Sequence, residues 1–323
     1  MERRTLGRTG LPVTALGLGT LTMSPMQRNL PVDEGARVIL AALEGGIGFV
    51  DTAQGYRSYP QVARALAEWR GPRPTLASKS AAKDAAGMTR AVEEALMALN
   101  VEVIDVFCLH AVKDPDDLRA REGAVEALLE ARRRGLIRAV GASSHWLGAL
   151  RVLAGDPRID VLHPMFNRQG VGLLDGSLDG MRQILQRARA AGQGIYAMKP
   201  LGGGHLRHQA VQALAWVLQQ PEIDAAAVGM ASVEEVTLNL AVARGQPVSP
   251  ELASRVAQQS RRLFINEMLC QRCGRCVERC PQQALSRQPG EAEEAGRIGI
   301  LYERCVLCGY CSADCPVFAI RVI

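Results

Sequence analysis

Lysine is nearly missing from this sequence: of 38 basic residues only Lys79, Lys83, Lys113 and Lys199 are lysines. The rest of the positive charge is arginine scattered along the chain. The net charge of +5 gathers into no cationic stripe with interleaved aromatics, which argues against nucleic acid as a partner. No apolar run approaches the roughly 18 residues that a membrane-spanning helix needs. The opening MERRTLGRTG has no apolar core of a secretory leader. The sequence therefore predicts a soluble, cytoplasmic protein with no membrane partner. Cysteine is also scarce over most of the chain, where Cys108 stands alone, yet eight more fall between Cys270 and Cys315. Two compositional regimes share the 323 residues, and the pattern changes near residue 265.

What is present before that point is alternation. Eight short apolar, β-rich runs (TALGLGT, IGFVDT, TLASKS, VIDVFCLHA, IRAVGAS, VLHPMFN, GIYAMKP and AAAVGM) are separated by segments of helical period. The helical segments include VDEGARVILAALEGG, GMTRAVEEALMALN, DDLRAREGAVEALLEARRRG, SLDGMRQILQRARAAG and SVEEVTLNLAVARG, followed by SPELASRVAQQSRRLF. Several begin at Asp or Ser and close on Gly, as helix caps do. The opening LGRTGLP suggests a hairpin. Eight βα units predict an α/β fold, a (β/α)8 TIM barrel over residues 1–265. The rival, a doubly wound open sheet, is disfavoured because Gly17-Leu18-Gly19 opens no GxGxxG fingerprint.

Residues 266–323 carry two blocks of one spacing: Cys270, Cys273, Cys276, Cys280 with Pro281, and Cys305, Cys308, Cys311, Cys315 with Pro316. Three thiolates of such a block can converge on one cubane while the fourth reaches the other block's cluster. That predicts two 4Fe-4S clusters, one on Cys270, Cys273, Cys276 and Cys315, the other on Cys305, Cys308, Cys311 and Cys280. Zinc would leave the repeated third and fourth cysteines unexplained, and disulfides suit a reducing compartment poorly. The loop QPGEAEEAGRIG between the blocks is too polar for either core. The whole segment resembles a bacterial ferredoxin with two clusters, and so small a domain needs such staples.

In a parallel barrel the chemistry collects at the carboxyl ends of the strands. Asp51 ends the second run, Tyr56 follows it, Lys79 ends the third and His110 the fourth. These are the residue types that protonate a carbonyl oxygen as a hydride reaches its carbon. A lysine beside the tyrosine should draw the phenol's pKa down, an aspartate should hold the lysine charged, and a histidine should hydrogen-bond the oxygen.

Residues 1 to about 245 resemble the aldo-keto reductase family through LGRTGLPVTALGLGT, the DTAQGY of Asp51 to Tyr56, Ser78-Lys79, Leu109-His110, the VGAS ending at Ser143, Pro200 to Gly202 and Asn239. The resemblance implies a reductase of carbonyls, or oxidant of alcohols, that uses NAD(P) and the tetrad Asp51, Tyr56, Lys79 and His110, with Tyr56 as general acid. It further implies Ser143 as holder of the nicotinamide carboxamide and Asn239 as holder of the adenine. Departures sit beside these matches. The family's Asn after that serine is Ser144 here, its carboxamide-binding Gln is His163, and its stacking aromatic is Met198, followed by Lys199. Lys199 and the run Gly202-Gly203-Gly204 offer charge and backbone donors to a phosphate. The stretch from Gly229 to Leu238 holds Glu234 and Glu235 and no basic residue, which leaves a 2'-phosphate without a partner. The remaining histidines, His145, His205 and His208, have no metal-ligand spacing.

A hydride carries two electrons, whereas a 4Fe-4S cluster takes one. Coupling the two calls for a carrier of both kinds, for which FMN at the barrel's phosphate site is the candidate. Three functions stay open: a nicotinamide-linked carbonyl reductase, a ferredoxin-coupled redox enzyme with a redox partner protein, and a redox sensor without catalysis. The first two take a small-molecule carbonyl or alcohol as substrate.

Overall fold

The computed structural model describes residues 1–259, 261–267, 269–290, 296–317 and 319–322. The opening hairpin forms as expected, with β1 (Arg3–Thr5) antiparallel to β2 (Pro12–Thr14). Each of the eight apolar runs becomes a parallel strand: β3 (Leu16–Gly19), β4 (Phe49–Asp51), β5 (Thr75–Ser80), β6 (Ile104–Leu109), β7 (Ile137–Ser144), β8 (Val161–Pro164), β9 (Gly194–Met198) and β10 (Ala225–Gly229). They close in sequence order, with β10 returning to pair with β3, so the barrel has no free edge. The chain folds as a (β/α)8 TIM barrel.

Side chains alternate along a strand, so every second residue points inward. Phe49, Ala77, Val106, Cys108, Ala139, Val161, Tyr196, Ala225 and Ala227 fill the interior, and Leu6, Leu11 and Val13 of the hairpin join them. One step further along β4, β5, β8 and β9, and two along β7, the same period delivers Asp51, Lys79, His163, Met198 and Ser143 to one mouth. The outer helices bury the other face of the strands. Their N-caps follow the sequence: Asp84 accepts from the Gly87 N–H at 2.7 Å, Asp114 from Asp117 at 2.7 Å, and Ser232 from Glu235 at 3.2 Å.

Two helical segments differ from expectation. DDLRAREGAVEALLEARRRG breaks into Pro115–Ala120 and Glu122–Arg133. At the break Arg121, 4% exposed, turns its side chain inward to the Asp117 carboxylate at 3.1 Å and to the His110 carbonyl at 2.9 Å. The later segment is helical only over Pro250–Gln258. Leu263–Ile265 is instead strand β11, because Leu263 and Ile265 bury themselves among the cysteines and Ile320 of the tail.

In the tail, β12 (Leu285–Gln288) and β13 (Arg297–Ile300) pair antiparallel, as do β11 and β14 (Ile320–Val322). The polar loop expected between the cysteine blocks is thus partly a hairpin, with Ile298 in the apolar cluster; its residues 291–295 lie outside the described residues. Short helices follow Gly274 and Gly309, each with a left-handed φ, 79° and 82°. No helix of the described residues is long and apolar enough to cross a membrane.

Candidate active site

At the mouth of the barrel Lys79 and Asp51 form a buried ion pair. The Lys79 ammonium donates to both Asp51 oxygens at 2.7 Å and to the Thr52 carbonyl at 2.9 Å. Lys79 is 1% exposed and Asp51 4%. The strand period brings them together because β4 and β5 are adjacent and pair Asp51 with Ala77. Tyr56 sits on the single turn Gln54–Tyr56 after β4, which Ser80 fixes by donating to the Gln54 side-chain oxygen at 2.7 Å. The Lys79 ammonium lies 4.9 Å from the centre of the Tyr56 ring. The His110 ring meets the same ring edge-on at 5.7 Å. All four residues therefore share one corner of the mouth.

The electrostatics depart from the sequence expectation at Tyr56. Burial pushes its phenol well above the usual value, and the Asp51 charge pushes in the same direction. The Lys79 ammonium, paired with Asp51, does not offset burial while the phenol keeps its proton. Burial likewise raises the Asp51 carboxyl, against the pull of Lys79. His110 is driven well below the ordinary imidazole value by burial and by the Lys79 charge. A group with a lowered basic pKa is neutral above that pKa, so His110 is neutral across neutral pH. Its ring-proton NMR shift is expected to stay constant between about pH 6 and 8, where an exposed histidine titrates; a titration midpoint inside that range would contradict this.

Tyr196 carries a role that the sequence reading missed. Its hydroxyl donates to Asp51 Oδ1 at 3.1 Å, and its ring stacks on His163 with centroids 3.9 Å apart. Cys108 lies 3.6 Å from the same hydroxyl, and burial pushes its thiol up to about 12. It is therefore a thiol of the barrel interior. The signal for Tyr196 was its inward parity in GIYAMKP, two residues before Met198.

The residues implied for a dinucleotide are divided. Ser143 accepts from the Ala111 N–H at 2.9 Å. Ser144 is committed to the backbone, donating to the Val112 carbonyl at 2.7 Å and accepting from Trp146 at 2.9 Å. His163 Nδ1 lies 2.7 Å from the Tyr196 carbonyl. Met198 is half-buried at the end of β9, and Asn239 is buried on the helix Val233–Ala243. Arg261 reaches back to pair with Glu235, so that stretch borrows a cation from downstream.

Lys199 and the glycine run do not form an open phosphate cradle. The Gly202 and Gly204 N–H groups are spent inside the turn, on Lys199 and Leu201 carbonyls at 2.9 Å each. Lys199 donates to the Val306 carbonyl at 3.2 Å, and a side chain on Gly203 would meet that same oxygen at 2.1 Å. The tail covers this position. Nearby, the buried His145 stacks toward Tyr310, with centroids 5.7 Å apart. Its Nδ1 has no hydrogen-bond partner among the described residues.

The eight clustered cysteines fall into two sets around two cavities. One is lined by Cys270, Cys273, Cys276 and Cys315, the other by Cys280, Cys305, Cys308 and Cys311. Each cavity takes three thiols from one block and the fourth from the other, the interleaving that the spacing predicts. Four thiols around an apolar hollow fit an iron-sulfur cubane. The second cavity also takes Val306 and Leu307 into its wall, the residues that lie on the barrel.

Comparison with known proteins agrees with both halves. Residues 15–213 match the family model described as Aldo/keto reductase family, and residues 269–319 match that of the 4Fe-4S dicluster domain. The chain belongs to the aldo/keto reductase family, with a ferredoxin-type domain following the barrel, and it is an oxidoreductase. It is 26% identical over 225 residues to 6-dehydroglucose reductase of Novosphingobium aromaticivorans, covering 63% of this chain and 70% of that one. It is 31% identical over 140 residues to methylglyoxal reductase DkgB of Salmonella typhi and spans only 49% of that protein's length. Among solved structures, PA4992 of Pseudomonas aeruginosa, described as an aldo-keto reductase, superposes with a TM-score of 0.64 at 28% identity, over 75% of this chain and 95% of that one. AKR11C1 of Bacillus halodurans, with a TM-score of 0.62 and 19% identity over 80% of this chain and 96% of its own, shares the fold.

Proposed function

We propose that the barrel interconverts a carbonyl and an alcohol on a small polar molecule, with Tyr56 as the group that gives or takes the proton at oxygen. The observation that carries this reading is the buried Asp51–Lys79 pair beneath Tyr56 and His110. Neutral His110 orients the carbonyl oxygen by hydrogen bonding. Tyr56, whose raised pKa keeps its proton in the resting enzyme, donates to that oxygen as negative charge develops there. Lys79 lies close enough to the ring to stabilise the phenolate that remains, and Asp51 with Tyr196 fixes Lys79 in place.

Cys270, Cys273, Cys276 and Cys315 hold one 4Fe-4S cluster in this reading, and Cys280, Cys305, Cys308 and Cys311 the other. When bound, such clusters supply one-electron chemistry, for which a redox protein is the partner class. Thiolate ligation suits a reducing cytoplasm. Family membership makes NAD(P) the expected two-electron carrier, but its phosphate end does not fit the docked tail, since Val306 rests on Gly203.

The named substrates of similar proteins, methylglyoxal and a dehydroglucose, are short oxygenated carbonyl compounds. Anaerobically purified protein is expected to reduce members of that class when supplied with reduced nicotinamide or a reduced viologen. A panel of α-oxoaldehydes and oxidised sugars on which neither reductant supports turnover would contradict the proposal.

A further inference from the structure

The tail is fastened to the barrel by its own backbone. Three consecutive carbonyls each meet a barrel side chain: His205 Nε2 lies 2.7 Å from the Cys305 oxygen, Lys199 Nζ 3.2 Å from that of Val306, and Gln27 Nε2 2.9 Å from that of Leu307. These anchors come from the loops after β3 and β9, on two adjoining sides of β10. Backbone conformation marks both surfaces of the contact. Lys199 and Leu307 hold left-handed φ angles of 55° and 47°, states that non-glycine residues keep only where their surroundings hold them. Gly203 has no room for a Cβ against Val306, and at Gly309 a Cβ would meet the Met26 methyl at 2.7 Å. Gln282 adds a bond to the Gly172 carbonyl at 2.8 Å. This is a built seat rather than a grazing contact.

The same seat lies between the residues implied for the two ends of a dinucleotide, Ser143 and Met198 on one side and Asn239 on the other. We infer that the segment Cys305–Leu307 and the phosphates of a nicotinamide dinucleotide bind the Lys199–Gly203 surface in mutually exclusive fashion. This rests on NAD(P) being the barrel's two-electron carrier. With the tail seated, Lys199 serves the Val306 carbonyl; with the tail lifted, its ammonium is free for a phosphate. The apparent dinucleotide affinity is then reduced by the fraction of molecules whose seat is open. By linkage, bound dinucleotide loosens the segment that carries Cys305 and Cys308. The active site thus has two alternative neighbours, a dinucleotide and an iron-sulfur loop.

The test is a fluorescence titration of the anaerobic, cluster-loaded full chain with NADH and with NADPH, in wild type, Gln27→Ala and His205→Ala. Each variant removes one anchor and leaves Lys199, Gly203 and Ser143 unchanged. Each should bind dinucleotide about fivefold more tightly, the fold-change that a net hydrogen bond of ~1 kcal/mol corresponds to. In wild type, dinucleotide should speed hydrogen exchange at the Cys305–Leu307 amides. Equal or weaker binding in both variants would overturn the inference, as would binding without faster exchange, or no binding to any of the three proteins. Should a variant lose its clusters, exchange in wild type decides alone. Loss of carbonyl turnover with this binding behaviour intact would instead count against the proposed function.

Discussion

A Lys79→Met variant is expected to lose about 3–5 kcal/mol of stability, because it strands the Asp51 carboxylate in a site where both partners are almost wholly buried. The loss should depend on pH. Without its counterion, Asp51 in the folded barrel takes a pKa raised further above that of the unfolded chain. A group raised on folding contributes stability below its unfolded pKa and loses it as pH rises through the folded one. The deficit against wild type should therefore grow from acid toward neutral pH. Adding Asp51→Asn to Lys79→Met removes the stranded charge and leaves an amide oxygen for the Tyr196 hydroxyl, so the double variant should recover much of the stability without recovering turnover. Denaturant unfolding at several pH values reads both effects. A single variant as stable as wild type at neutral pH would show that the pair is not the buried ion pair described.

The inward parity that buries this pair was readable from the sequence. Phe49 and Asp51, Ala77 and Lys79, Val161 and His163 each step by two along an apolar run, and the residue nearer the carboxyl end is the polar one. The cysteine spacing was equally explicit, because ligand geometry fixes it locally. What could not be read are contacts made only when the barrel closes or the tail folds back. Tyr196 reaches Asp51 across 145 residues and Lys199 reaches Val306 across 107; no local pattern encodes either. The phosphate cradle read from Lys199 and three glycines is an instance: the glycines admit a close backbone approach, and the approaching backbone is the chain's own. The pKa of Tyr56 went the same way. The sequence places a lysine and an aspartate near a tyrosine, but the burial that raises the phenol exists only in the closed fold.

Tail docking also explains how the mouth is covered. The seated segment from Cys305 to Tyr310 closes over the mouth, and His145, whose Nδ1 has no hydrogen-bond partner among the described residues, lies beside its Tyr310.

In the proposed reaction the Tyr56 phenol, and no other, exchanges the proton with substrate oxygen. Tyr59 supplies an internal control: it lies three residues on, is buried in the main core cluster, and its hydroxyl shares a hydrogen bond with the Ser78 hydroxyl at 2.8 Å. The most direct measurement is steady-state carbonyl reduction by Tyr56→Phe and Tyr59→Phe, with iron content confirming that both keep their clusters. The rate should fall about 10²–10⁴-fold for Tyr56→Phe, the usual worth of a positioned general acid, and stay near wild type for Tyr59→Phe. Wild-type turnover by Tyr56→Phe would contradict the proposed reaction.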